Sequence, residues 1–184
     1  MFDDHRSKKV IIVAHCLLNQ NAISDGTADY PGQFTELIDL ILANQIGLIQ
    51  LPCPELICLG LERNDPQGVK RPILQENTRI RGLLCQVNNL ERLQDKAQEL
   101  VTQIEEYRGH AFQVLGLIGV NRSPSCGVET TTKGNKEVNG PGVFIELISE
   151  ACRKKGQALK MIGVKTSQKD EAIKIVCKFI EETN

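Results

Sequence analysis

"KVIIVAHCLLNQN", residues 9–21, begins with a short, β-branched run, Lys9 to Ala14, that shows no polar alternation. That pattern is expected of a strand buried on both faces, as in the middle of a parallel sheet. The run delivers a cysteine, Cys16, into the segment behind it. The arrangement recurs twice. Leu48 to Leu51 leads into Cys53 of "LPCPE" (51–55), and Phe112 to Val120 leads into Cys126 of "RSPSCG" (122–127). A fourth strand is expected from Ala158 to Val164.

Between these runs the apolar spacing changes from strand-like to helical. Phe34, Leu37, Ile38, Ile41 and Leu42 predict a helix opening at Pro31, where a missing N–H costs nothing. Leu90, Leu93, Ala97, Leu100, Val101, Ile104 and Tyr107 mark the clearest helix, and two more are expected over 143–155 and 169–182. Residues 60–82 are polar and broken by Gly60, Pro66, Gly68, Pro72 and Gly82, and read as a long irregular excursion. The turn-rich stretch 130–142 reads as a hairpin or a lid. Strands alternating with helices predict an α/β three-layer sandwich with a mainly parallel, Rossmann-like sheet. In such a sheet the strand C-terminal ends share one edge, where ligands bind. Three cysteines 37 and 73 residues apart in sequence can therefore converge there.

The chain's 184 residues fit one domain, 1–184. Hydrophobic residues at 41 % and charged residues at 24 % are ordinary for a globular protein. A net charge of −1 and no long basic block leave no electrostatic footprint for nucleic acid, and aromatics at 4 % offer no stacking platform. No apolar run is long enough for a bilayer, and the N-terminal residues lack the order of a secretory signal. A cytoplasmic protein with neither membrane nor nucleic-acid partner is the expectation.

Seven cysteines, an odd number without an export signal, argue against a disulfide scaffold. Cys152 and Cys177 fall on apolar helical faces and Cys85 follows two leucines, so all three read as small buried hydrophobes. The loop cysteines differ. Pro52 and Pro54 flank Cys53, and Pro124 and Gly127 flank Cys126, a stiffness suited to holding a soft metal. Thiolates select zinc, copper(I) or iron–sulfur centres. Zinc sites made of thiolates usually use close C-x₂-C pairs, absent here. Three distant ligands suit a cubane cluster better, with one iron left open to act as a Lewis acid. Cys58 as a fourth ligand would close the centre, but its apolar setting favours burial.

The series "CLL" (16–18), "CPE" (53–55) and "SPSCG" (123–127) resembles the thiouracil desulfurase family, over roughly residues 9–165. The resemblance implies a [4Fe–4S] cluster held by three cysteines, carried over to Cys16, Cys53 and Cys126. It implies a desulfidase that removes sulfur from a small thiolated molecule, a thiouracil-like base or a related compound, as sulfide and without net redox change. This sequence departs from the family at Asn19, where a glycine is usual. It keeps only Asp25-Gly26 of an Arg-Tyr-Asp-Gly segment, and only Gly60-Leu61 and Arg71-Pro72 of two later elements.

Such chemistry needs a base to activate water. Glu55, two residues beyond Cys53, is the candidate, since a crevice that desolvates a carboxylate raises its proton affinity. Its alternative role is to accept backbone N–H groups of the turn. Ser123 and Ser125 are placed to bind substrate or to donate toward the centre, or to close their own turn. Asn121 and Arg122 are substrate-binding candidates by proximity. Asp25 is another, able to orient a base N–H, though Asp-Gly is also an ordinary turn signal. His15 would point to the opposite face from Cys16 if the strand continued. His110, at a helix end, is assigned no chemistry. Two further readings stay open: a zinc-binding structural or sensor protein using the same cysteines with His15 or Cys58, and a metal-free α/β binding module.

Overall fold

The computed structural model describes residues 2–183 and contains a four-stranded, wholly parallel sheet. Its strands are β1 (Lys9–Ala14), β2 (Gly47–Leu51), β3 (Gln113–Val120) and β6 (Met161–Val164), in the order β2-β1-β3-β6. The two most apolar runs take the two inner places. Ile11 to Ala14 of β1 and Leu117 and Ile118 of β3 are completely buried, whereas edge strand β2 exposes Gly47 and Gln50. Burial on both faces thus explains why β1 shows no alternation.

Helices cover both faces. α2 (Thr35–Ala43) packs with α7 (Lys169–Thr183), and α5 (Val87–Gly109) packs with α6 (Val143–Lys154). The outcome is the expected three-layer α/β sandwich around one contiguous apolar core. Among the described residues no helix is long and apolar enough to cross a membrane.

Two short helices, α1 (His15–Leu18) and α3 (Pro54–Leu59), begin directly at the ends of β1 and β2. The turn-rich stretch is a hairpin, β4 (Thr130–Lys133) paired with β5 (Lys136–Asn139). The connections run to one side from β1 to β2 and to the other from β3 to β6, so the crevice at the C-terminal ends of β1 and β3 is the sheet's switch point.

Three local expectations are corrected. α2 starts at Thr35 rather than Pro31, because Phe34 is fully buried, stacks on Tyr30 and donates its N–H to the Leu17 carbonyl. The excursion over 60–82 contains a helix, α4 (Ile73–Leu84), hidden by its polar composition and by Gly82. It is held by Arg79–Glu76 and Arg71–Glu76 ion pairs and buries Asn77, Ile80 and Leu84. Cys85 is exposed and Cys177 only half-buried, whereas Cys152 is buried as expected. Cys85 caps the end of α4 and so faces outward instead of following Leu84 into the core.

Candidate active site at the strand ends

Cys16, Cys53 and Cys126 line one cavity at the switch point, and the free space within it, counting its open mouth, is about 780 Å³. Each thiol is placed by a different device. Cys16 follows β1 in the single turn of α1. Cys53 caps α3, its Sγ accepting the Leu56 N–H at 3.4 Å. Cys126 is fixed by its own loop: its carbonyl accepts from Val120 N at 2.9 Å and its N–H donates to Ser123 Oγ at 3.0 Å. That loop lies so close to β3 and to the start of α6 that a side chain at Gly119 or Gly142 would strike the backbone of Ser125 or Cys126.

All seven cysteines are free. Burial pushes the Cys16 thiol up to about 12, helped by the neighbouring Cys53 and Glu55. Burial, then Glu55, raises Cys53; burial, then Cys16 and Cys53, raises Cys126 well above its ordinary value. The three thiols thus sense one another across the cavity. In the metal-free protein they are protonated near neutrality, and any metal would displace those protons on binding.

Glu55 sits in the first turn of α3, buried at 7 % exposure, and every contact it makes is with a donor. Ser125 Oγ donates to Oε1 at 2.7 Å; Ser24 Oγ and Arg63 Nε each donate to Oε2 at 3.0 Å. Ser123 Oγ lies 3.1 Å from Ser125 Oγ and accepts from Ser125 N and Cys126 N. Ser125 has one hydroxyl hydrogen, so its donation to Glu55 leaves its oxygen to accept from Ser123. Ser123 therefore closes the turn and also extends a hydroxyl chain to Glu55. Ser125 Oγ is also 3.6 Å from Cys126 Sγ.

Arg63 was not singled out by the sequence. It is 3 % exposed, has a left-handed backbone at φ 50°, and donates to the carbonyls of Ala22 at 2.5 Å, Gly60 at 2.7 Å and Leu61 at 3.1 Å besides Glu55. It sits inside the polar stretch 60–82, where no spacing relates it to Glu55. α4 also positions the site. Arg81 Nη1 donates to the Pro124 carbonyl and to Thr131 Oγ1, both at 3.2 Å, and Asn77 Nδ2 donates to Thr132 Oγ1 at 3.2 Å. The hairpin is thereby clamped beside the cysteine loop, and none of its residues lines the cavity.

Of the other candidates, Asn121 and Arg122 reach the cavity wall. Asn121 Oδ1 accepts the N–H groups of Val128, Glu129 and Thr130, at 3.1 to 3.3 Å, so it holds the loop's shape. Arg122 has a left-handed backbone, φ 71°, at the turn leaving β3. Asp25 does not join them: it lines the neighbouring recess with Glu62 and Asp65. Ser24, beside it, is the residue of that turn that faces Glu55. Cys58 also stays outside the cavity, its Sγ toward the Asn89 carbonyl.

His15 is placed differently from expectation. The strand ends at Ala14 and His15 opens α1, so alternation does not apply and His15 lines the same cavity as Cys16. Burial, and then the Arg63 charge, lowers its pKa. His110 caps α5, with Nδ1 2.8 Å from the Glu106 carbonyl. The cavity rim is completed by Thr27 and by Lys165, Thr166 and Ser167 after β6.

Among the described residues no group of three or more His, Cys, Asp or Glu side chains is arranged to hold a metal ion. A single ion bound by thiolates needs its sulfurs about 2.3 Å from one point, a condition the trio does not meet as it stands. The donor set itself, three unbridged thiols around one cavity, is of the soft kind used by zinc, copper(I) and iron–sulfur centres alike.

The chain is 26 % identical over 165 residues to uncharacterized protein MJ0003 of Methanocaldococcus jannaschii, covering 90 % of this chain and 91 % of that protein. No family model matches the chain. No solved structure matches it either.

Proposed function

We propose that this protein is a non-redox desulfidase acting on a small thiolated molecule, a thiouracil-like base or a related compound, with a [4Fe–4S] cluster held by Cys16, Cys53 and Cys126. The observation that carries the reading is the meeting of those three thiols around one cavity, with a buried carboxylate on its wall. When bound, such a cluster supplies a thiophilic Lewis acid at its open corner. The overall reaction exchanges C=S and water for C=O and hydrogen sulfide, with no electron transferred.

The residues of this chain supply the proton handling. Both lone-pair directions of Glu55 Oε2 are taken, by Ser24 and Arg63, while Oε1 accepts only Ser125. Oε1 therefore retains one acceptor position, at which a water molecule places its proton as it adds to carbon. The Ser125–Ser123 pair fixes the rotamer of the carboxylate, and Arg63 holds it from behind. The cavity wall is made partly of the apolar side chains of Ile23, Ile73 and Val120. A reducing, cytoplasmic setting would keep the thiols unbridged.

Protein purified without oxygen is expected to be brown and to contain iron and acid-labile sulfide. It should release sulfide from 2-thiouracil. Cys16→Ser, Cys53→Ser and Cys126→Ser should each lose the colour, and Cys152→Ser should keep it. Colourless wild-type protein carrying zinc would instead assign the thiols to a structural metal. Glu55→Gln should keep the spectrum and lose turnover; an unchanged rate removes Glu55 as the base.

A further inference from the structure

Asn77 is a nearly buried side chain whose hydrogen bonding is half complete. It lies within α4 and is 7 % exposed. Its Nδ2 donates to Thr132 Oγ1 at 3.2 Å, and Thr132 donates its own hydroxyl hydrogen to the Arg122 carbonyl at 2.6 Å. Thr132 Oγ1 can therefore only accept from Asn77, which fixes the amide nitrogen on the hairpin side and the oxygen on the opposite edge. That oxygen, Oδ1, has no partner among the described residues, yet it is not sealed off: the one side-chain nitrogen or oxygen there that is both fully buried and unpartnered is His15 Nε2. Asn77 and Ile73, one helical turn apart, are the α4 residues that line the cavity, and a residue inside a helix meets its surroundings with its side chain. The surface that Asn77 keeps is thus turned to the cavity. Other polar groups of the wall are already engaged. The hydroxyls of Ser24 and Ser125 donate to Glu55, that of Thr27 to the Ser24 carbonyl and that of Thr166 to Asp29, while Asn121 Oδ1 accepts three N–H groups. An acceptor so nearly buried gains from an arriving N–H.

We propose that Asn77 is a substrate-binding residue, its Oδ1 accepting a ring N–H of the heterocycle that enters the cavity, so that the substrate is a cyclic thioamide with an unsubstituted ring nitrogen. The identity of that ligand rests on the desulfidase reading. Thr132 acts as the positioning residue, holding the amide nitrogen so that only the oxygen edge is offered. A ligand alkylated at that ring nitrogen brings no donor and covers the amide oxygen without satisfying it, which is a stronger rejection than a missing contact alone.

Uracil, the oxygen counterpart left when 2-thiouracil loses its sulfur, keeps the ring N–H groups and is not consumed, so its binding tests this by titration calorimetry on protein purified without oxygen. Wild type should bind uracil about ten-fold more tightly than one of 1-methyluracil and 3-methyluracil, the one that lacks the recognised N–H. Asn77→Leu should weaken uracil about ten-fold and leave that methylated compound within about two-fold, so the gap closes; Asn77→Ala gives the same answer should the leucine variant fail to fold. Both methyluracils binding wild type as well as uracil does, or a gap that persists in the variants, would overturn the assignment. So would a gap that closes because the methylated compound tightens, which marks a steric clash. An equal loss for all three ligands would overturn it too, since Asn77 would then only anchor the hairpin through Thr132, as would no measurable uracil binding. Protein without iron or released sulfide that still shows the N–H pattern defeats the desulfidase reading alone; protein that releases sulfide without that pattern defeats the assignment of Asn77 alone.

Discussion

Arg63→Met removes a guanidinium that is 3 % exposed and leaves the Glu55 carboxylate buried with only two serine hydroxyls. The methionine keeps most of the aliphatic stem, so packing changes little and the loss is mainly electrostatic. Removing one partner of a buried ion pair costs about 3–5 kcal/mol. The Ala22 carbonyl, in a buried residue, loses its 2.5 Å donor as well, while Gly60 and Leu61 are exposed and can turn to water. Allowing for overlap, the total is about 5 kcal/mol, or roughly 10–20 °C in melting temperature for a chain of this size. Urea unfolding under reducing conditions measures it. Glu55→Gln combined with Arg63→Met should cost less than the sum of the two single changes, with about 2–3 kcal/mol of coupling. A loss below about 1 kcal/mol for Arg63→Met, or strict additivity in the cycle, would refute the picture of Arg63 as the buried counter-charge of Glu55.

Alkaline pH should destabilise the metal-free protein. Cys16 is held up to about 12 against an ordinary 9.0, so the unfolded chain ionises first: stability is intact below pH 9 and falls as pH rises toward 12. For this thiol alone the loss is about 1.4 kcal/mol at pH 10, Cys53 and Cys126 add to it in the same direction, and Cys16→Ala should flatten the slope of a pH-dependent melt. Ser125→Ala deprives Glu55 Oε1 of its donor and should lower stability by about 1–3 kcal/mol in urea titration, while Ser123→Ala, farther along the chain of hydroxyls, costs less. Gly142→Ala drives a methyl into the Ser125–Cys126 backbone, so it should cost about 1–3 kcal/mol and lower the iron content of protein purified without oxygen.

The sheet was legible because its central strands are buried on both faces, and such runs stand out without any partner being known. β1 and β3 are both of this kind, and the position of the three cysteines follows from where parallel strands end. Glu55 and Ser125 were found because each is adjacent to a cysteine motif. Arg63 and Ser24 were not, since what unites them with Glu55 is a fold-back of the chain that no periodicity records. α4 was missed for a related reason: its stability comes from Arg71–Glu76–Arg79 pairing and from gripping the hairpin, not from an apolar stripe. His15 was misplaced by extending strand alternation one residue past the point where the backbone turns helical. Asp25 and Ser24 show how fine the margin is, one step along a turn separating the residue that meets Glu55 from the one that faces the next recess.

Because the three thiols hang from three different strand ends, no short peptide of this chain holds two of them in chelating range. A chain emerging from the ribosome presents Cys16 and Cys53 long before Cys126, and the trio exists only once β3 has docked between β1 and β6. Under the proposed function, a cluster would therefore be delivered to a folded acceptor rather than gathered by a nascent one, the reverse order from small metal-nucleated modules.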